Sequence, residues 1–213
     1  TLMSLDVSIE NTIFRDISLG LVKASAIYNS KKLVFKDFSS NWNGNYIKGS
    51  ASLPLDFDIA SPNINKWDPN GKINIRTNGT FKSLEFLSKN IAQTDSITGD
   101  ISIILNVDGT KDKLLRNGNI NIKNGKIHTI LIDEPIRNIF VSGLLEQNKM
   151  LINSFNGSLF DSNNKVQPDS NLFISGMIDF TKFFEPRYNI KVIGKDVFYR
   201  SLDGDIEAYS DLD

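Results

Sequence analysis

The chain has no cysteine among its 213 residues. A thiolate metal site, a thiol nucleophile and a disulfide framework are therefore excluded. It has one histidine, His128, in "KNGKIHTI". No Ser/Asp setting surrounds it, so a surface or edge-strand place is expected rather than catalysis. No G-x-S-x-G elbow, phosphate-cradling G-x-x-x-x-G-K-[ST] loop or H-E-x-x-H pair occurs. No enzyme activity, metal or cofactor is expected. Twenty-four Lys and Arg stand against 25 Asp and Glu, a formal charge of −1. Nucleic acid wants a basic stripe, so it is not an expected partner. No run of about 18 apolar residues is present, so no segment is expected to cross a membrane as a helix.

What the sequence does have is alternation. In "YIKGSASLPLDFDI", Tyr46 to Ile59, the odd positions Ile47, Gly49, Ala51, Leu53, Leu55, Phe57 and Ile59 are small or apolar, and the even ones are mostly polar. That is the period of a strand with one dry and one wet face. Read as one strand, these residues span roughly 46 Å, far beyond the usual length. The same period recurs. Leu5, Val7 and Ile9 share one side, as do Ile73 and Ile75, Ile101, Ile103, Leu105 and Val107, and Ile120 and Ile122. Leu33 and Phe35 are followed by Phe38, an odd step that predicts a bulge around Lys36-Asp37. Met150 and Ile152 are followed in the same way by Phe155. Asn-Gly, Asp-Gly and Asn-Asn pairs punctuate the runs as turns.

Two stretches read as helical. "SLEFLSKNIA" spaces Leu84, Leu87 and Ile91 at i, i+3 and i+7, with Ser83 as N-cap, so a short helix is expected over about 83–92. "EPIRNIFVSGLL" places Pro135 at a helix start with Ile136, Ile139 and Phe140 on one side, although "NIFVSGLL" also reads as a strand. The expected class is all-β with one or two short helices.

A weak repeat is present. "AIYNSKKLVFKDFSSNW", Ala26 to Trp42, lies over "GLLEQNKMLINSFNGSL", Gly143 to Leu159. The pairs Leu33/Met150, Phe35/Ile152 and Phe38/Phe155 keep the odd step. Gly49 then lies over Gly176, and Ser201–Asp213 over Ser96–Asp108, a period of roughly 105 to 127 residues, too long for a coil of about 20. Two units are expected, residues 1–95 ending in the short helix and residues 96–213 truncated at the end. The chain reads as a segment of a longer array, with Asp161–Ser170 as an exposed loop.

Other features have plain readings. Adjacent Asp133 and Glu134 suggest a charged turn or a helix start. The acidic residues from Asp203 to Asp213 alternate with Ile206, Ala208 and Leu212, so a solvated strand face is expected rather than a cation site. Asn78-Gly79-Thr80 and Asn156-Gly157-Ser158 coincide with expected turns. The apolar stripes are also compatible with the core of a closed β-sandwich.

The order of elements carries a resemblance. "SLEFLSKNI…ITGDISIILNVDGTKDKLLRNGNINIKNGKI" gives a short helix, a Gly-started strand, a V-D-G-T turn and a G-x-I-x-I-x-x-G-x-I strand. "KGSASLPLDF" has the form G-x-x-x-L-P-L-D, and "LDGDIEAYSDLD" repeats the Gly-started strand. Together these resemble the repeat of the TamB family, within the AsmA-like group of bridge lipid transfer proteins. The resemblance implies long antiparallel strands curled into a β-taco, a continuous groove with an apolar concave face. It implies a periplasmic segment of a protein anchored in the inner membrane of a diderm bacterium. That protein would move phospholipid between the inner and outer membranes and support outer-membrane biogenesis and protein secretion with a β-barrel partner. Acyl chains would lie along Phe35, Leu53, Leu55, Phe57, Ile59, Ile101, Ile103, Leu105, Val107, Ile120, Ile122, Ile152 and Phe155. The helix of Leu84, Leu87 and Ile91 would edge the groove. The alternatives are a structural or adhesive β module, and a chaperone-like surface that receives outer-membrane proteins by strand addition.

Overall fold

The computed structural model describes residues 2–14, 17–56, 66–84, 94–130, 132–161, 163, 170–182, 185–201 and 206–213. Among these residues every regular element is a strand. The strands are β1 (Met3–Phe14), β2 (Ile17–Asn29), β3 (Lys32–Trp42), β4 (Asn45–Leu53), β5 (Leu55–Asp56), β6 (Lys66–Trp67) and β7 (Ile73–Ser83). They continue as β8 (Thr94–Thr110), β9 (Lys113–Thr129), β10 (Ile136–Glu146), β11 (Lys149–Ser158), β12 (Leu172–Asp179), β13 (Arg187–Arg200) and β14 (Glu207–Leu212). Twelve of them form one antiparallel sheet in sequence order; only the short pair β5–β6 stands apart. Each strand of this meander pairs with its sequence neighbours in the sheet, and β2–β3, β3–β4, β8–β9 and β10–β11 are joined by two-residue turns. The chain divides into two compact units. Unit 1 is Thr1–Thr80 with Ile104–Gly118, and unit 2 is Phe81–Ile103 with Asn119–Asp213.

In unit 1, the β2–β3 hairpin turns on Ser30 and Lys31, both left-handed at φ 49° and 63°. Two positive φ values match the twist of the flanking strands. Ala26 faces Phe35 and Ser25 faces Asp37, so Lys36 has no partner of its own. This is the bulge expected at Lys36-Asp37. Its effect is to return Phe38 to the face of Phe35 despite a three-residue step.

Unit 2 repeats the device. Its β10–β11 hairpin turns on Gln147 and Asn148 at φ 47° and 73°. Gly143 faces Ile152 while Ser142 faces Ser154, which leaves Asn153 unopposed. Ala26–Phe35 and Gly143–Ile152 are thus equivalent pairs, as are Ala24–Phe38 and Val141–Phe155. The repeat seen in the sequence is a repeat of register. It lapses one strand later, because Gly49 faces Phe38 whereas Gly176 faces Ile152. The two glycines are two places apart in register, though still on the same face.

The core of unit 2 gathers Leu159, Leu172 and Val197, with Ile132, Ile136 and Phe155 packed against them. Buried Asn171 holds this corner. Its side chain accepts from the Leu159 N–H at 2.8 Å and donates to the carbonyls of Leu159 at 2.9 Å and Asp196 at 3.2 Å. Arg200 ties the same region together. It lies 3.6 Å from Asp133 and from Glu134 and 3.4 Å from Asp161, with its guanidinium 5.1 Å from the Phe198 ring centroid. Asp133 and Glu134 thus form a bend pinned to β13, with Glu134 buried. The Asp161 end of the polar insertion is held in the same cluster; residues 162 and 164–169 lie outside the described residues.

Three expectations are corrected. Asn78-Gly79-Thr80 and Asn156-Gly157-Ser158, expected as turns, lie within β7 and β11. The long strand from Tyr46 breaks at Pro54, which has no N–H to give the ladder. β4 ends at Leu53, and Leu55 belongs to the separate β5–β6 pair, opposite Trp67. The longest strands are instead β8 and β9, 17 residues each. The helix at Pro135 is the strand β10. A register shift between Arg137 and Phe140, with Asn138 at φ 51°, creates the three-residue step that imitates a helix. Ser83 closes β7, and the Leu84 N–H donates to the Ile97 carbonyl at 2.8 Å. Leu87 and Ile91, with the rest of the expected helix, lie outside the described residues.

Replacing Asn171 by Ala strands the buried Leu159 N–H and removes the bonds to the Leu159 and Asp196 carbonyls. Urea unfolding should show a loss of about 1 to 3 kcal/mol. Asn163→Ala, at an exposed turn, should change stability by less than about 0.5 kcal/mol. Similar losses from both would contradict the role given to Asn171.

Candidate functional site

Cross-strand partners in a sheet point to the same side, so the register of β1–β4 with β7, and of β10–β14, assigns their side chains to a face. In unit 1 one row reads Leu5, Ala26, Phe35, Ala51, Ile75 across five strands. The next reads Val7, Ala24, Phe38, Gly49, Thr77. Tyr28, Leu33 and Leu53 make a third. In the first two rows large residues on β1 and β3 alternate with small ones on β2 and β4, whereas the third row is large throughout. The Phe38 ring covers Gly49 so closely that an added Cβ would come 2.7 Å from it. This filling explains why Ala26 is only 3% exposed while Phe35, Phe38 and Leu53 are half-buried. Leu105 and Val107 alternate with Ile104, Asn106 and Asp108 on β8.

The other side of unit 1 is wet. Asn74 donates to Asp108 at 2.6 Å, and Arg76 pairs with the same carboxylate at 2.8 Å. Asn74 and Arg76 alternate with Ile73, Ile75 and Thr77 on β7, so Asp108 lies on the polar side and Val107 on the apolar one. A shallow depression of about 510 Å³ opens on this polar side, between Lys36, Tyr46, Lys48, Arg76, Asn78 and Ile104. None of the residues expected to line a groove borders it.

In unit 2 the apolar side continues the large-and-small pattern. Gly143, Ile152, Gly176 and Ile190 form one row. Ile120 and Met150 close over Gly143, each 3.0 Å from where its Cβ would stand. Val141 faces Phe155. Ile101 and Ile103 alternate with the exposed Asp100 and Ser102, and Ile122 is buried. On the polar side, Lys82 and Asn124 both donate to Asp100 and hold its carboxyl below the ordinary carboxylate range.

Phe35, Leu53, Leu105 and Val107 of unit 1 thus occupy that unit's apolar side. Ile101, Ile103, Ile120, Ile122, Ile152 and Phe155 occupy the apolar side of unit 2. Leu55 is not on the large sheet, and Phe57 and Ile59 lie outside the described residues. The expected set missed Leu5 and Ile9, 59% and 50% exposed, and Tyr188, Ile190 and Val192 on β13. These are the most open parts of the apolar surface. Their alternation in "SLDVSIE" and "RYNIKVIG" was signal enough.

His128 is half-buried. Burial, then Lys126 and Arg137, push its pKa below the ordinary 6.5, against a weaker pull from Asp95. Among the described residues no three His, Asp or Glu side chains gather as a metal site, and no helix is long and apolar enough to cross a membrane. No family profile, characterised protein or solved structure matches this chain.

A histidine pKa lowered on folding contributes stability above its unfolded value of about 6.5, lost as pH falls through that range. The urea midpoint should therefore fall slightly between about pH 7.5 and 5.5. His128→Gln should flatten that step; an unchanged step would assign it to other groups.

Proposed function

We propose that this chain is a segment of a TamB-like bridge lipid carrier, and that the apolar side of its sheet holds phospholipid acyl chains. The observation that carries this reading is a broad face of Ile, Leu, Val and Phe, half-buried or exposed over much of its extent, opposite a side that is mostly polar in unit 1 and mixed in unit 2, where Leu151, Phe173 and Ile193 are exposed on it. In unit 1 the strands of this face touch their ladder neighbours, and the short β5 lies against β3. Among the described residues the only other sheet is β5–β6, two residues per strand. It is too small to close a sandwich over such a face.

An apolar surface of this kind suits a ligand recognised by area rather than by polar contacts. Each methylene buried gains about 0.8 kcal/mol. An exposed apolar face this broad invites aggregation unless something covers it, and acyl chains would cover it. No catalytic step belongs to this function. A periplasmic place, an inner-membrane anchor elsewhere in the protein and an outer-membrane β-barrel partner belong to the same proposal.

Protein purified without detergent should carry phospholipid at near-stoichiometric amounts by extraction and mass spectrometry. Leu105→Asp or Leu53→Arg should lower that amount several-fold, and Asp100→Ser on the polar side should not. Equal effects from both sides would sink the assignment. A lipid-free, monodisperse and stable protein would favour a structural β module instead.

A further inference from the structure

Unit 2 carries a second apolar patch, on the side of its sheet away from the row of Gly143, Ile152, Gly176 and Ile190. The register across β10, β11, β12 and β13 fixes its rows. One reads Leu144, Leu151, Met177, Asn189. Another reads Phe140, Asn156, Phe173, Ile193. Between them Ser142 faces Ser154, and Ser175 faces Lys191. Phe140, Leu151, Phe173 and Ile193 are 38 to 44% exposed. Next to the leucine row, at the Gln147-Asn148 turn, stands a charged row: Glu146, Lys149, Asp179, Arg187. Its sign alternates strand by strand. Glu146, Lys149 and Arg187 are exposed. Hydrogen bonds from Thr181, then Lys149 and Arg187, hold the Asp179 carboxyl below the ordinary carboxylate range.

A row of four alternating charges is complementary to its own reverse. Two copies that face each other across a two-fold axis parallel to the strands present that reverse. β10 then lies over β13 of the other copy, and β11 over β12. Glu146 meets Arg187 and Lys149 meets Asp179, twice each. The same rotation keeps every row at its own height. Leu151 meets Met177, Phe140 meets Ile193, and Phe173 meets Asn156. A two-fold axis across the strands would instead lay the charged row on the row of Phe140 and Phe173. The charged row stands at the rim of the patch, where long side chains can bridge two sheets about 10 Å apart.

From this self-complementarity we infer that the side of unit 2 bearing Phe140, Leu151, Phe173 and Ile193 docks a second copy of this chain, sheet on sheet, about a two-fold axis parallel to the strands. Charge selects this occupant: a surface of one sign, such as an anionic bilayer, would meet as many acids as bases in the charged row. Four strands about 4.8 Å apart and seven residues at about 3.3 Å each cover roughly 400 Å² on each copy. Twice that area is below the size of a tight complex, so the pair is weak and reversible, micromolar or looser. It leaves the apolar side of unit 2 uncovered, so the inference goes beyond the acyl-chain reading and does not depend on it.

Sedimentation velocity on the whole chain without detergent reads the association directly. The wild-type protein should be monomeric near about 1 μM and substantially dimeric near about 200 μM. Phe173→Asp should stay monomeric throughout, with the circular dichroism of the wild type. Glu146→Arg and Arg187→Glu each set like charges opposite one another, and each should weaken association about tenfold. Mixed in equal amounts, these two variants again place opposite charges at both rim positions, and the dimer should return. That rescue separates lost docking from lost folding. A wild-type protein that stays monomeric at every concentration overturns the inference. A dimer that withstands all three substitutions overturns the assignment to this side of unit 2. Weakening without rescue on mixing overturns the two-fold arrangement. A monomer that binds phosphatidylcholine vesicles, and loses them in Phe173→Asp, would give the patch to a bilayer and overturn the second copy as its occupant.

Discussion

The pleat of a β-strand sends successive side chains to opposite sides, and everything else in this protein depends on keeping that parity. A slip of one residue would exchange the dry and wet faces of a whole strand. The bulges at Lys36 and Asn153 meet this constraint directly. Each absorbs one residue, so Phe38 and Phe155 return to the side of Phe35 and Ile152. Without them the second half of each hairpin would turn its aromatic residue to water.

Parity alone makes a dry face, but it does not make an orderly one. Order comes from size alternation across the strands. Ala26, Ala51, Gly49 and Gly143 sit between large neighbours, and those neighbours lean into the space. Large residues packed over small ones reach native-like contact within a single layer. That packing contributes to the burial of this surface, which among the described residues has no second large sheet against it. It also explains where the surface is most open. Leu5 and Ile9 belong to an edge strand with a neighbour on one side only, and Tyr188, Ile190 and Val192 project from β13, where the smallest partner is Gly176.

Strand content and the side of most apolar residues were legible because both follow from period two. The repeat was legible for the same reason, down to the shared bulge. Turn chemistry misled at Asn78-Gly79, Asp108-Gly109 and Asn156-Gly157, which lie inside β7, β8 and β11. Two other misreadings have one cause, a local backbone device that changes the count. Pro54 ends β4 although the alternation runs on past it, and the shift at Asn138 gives β10 a helical spacing between Ile136 and Ile139. The ion cluster around Arg200 was not legible, because Asp133, Glu134 and Asp161 come near Arg200 only through the fold. Size alternation across strands was equally hidden, since it appears only once the register is known.

If acyl chains lie on the apolar side, adjacent residues of one strand must report opposite environments. Trp42 and Trp67 can be replaced by Phe, and a single tryptophan placed at Leu105 or at its neighbour Ile104. Quenching by phospholipids brominated on their acyl chains then measures contact with each side. Strong quenching in the Leu105→Trp protein and little in the Ile104→Trp protein is the expected result. Equal quenching at both positions, or none at either, would contradict an acyl-chain surface on this side of the sheet.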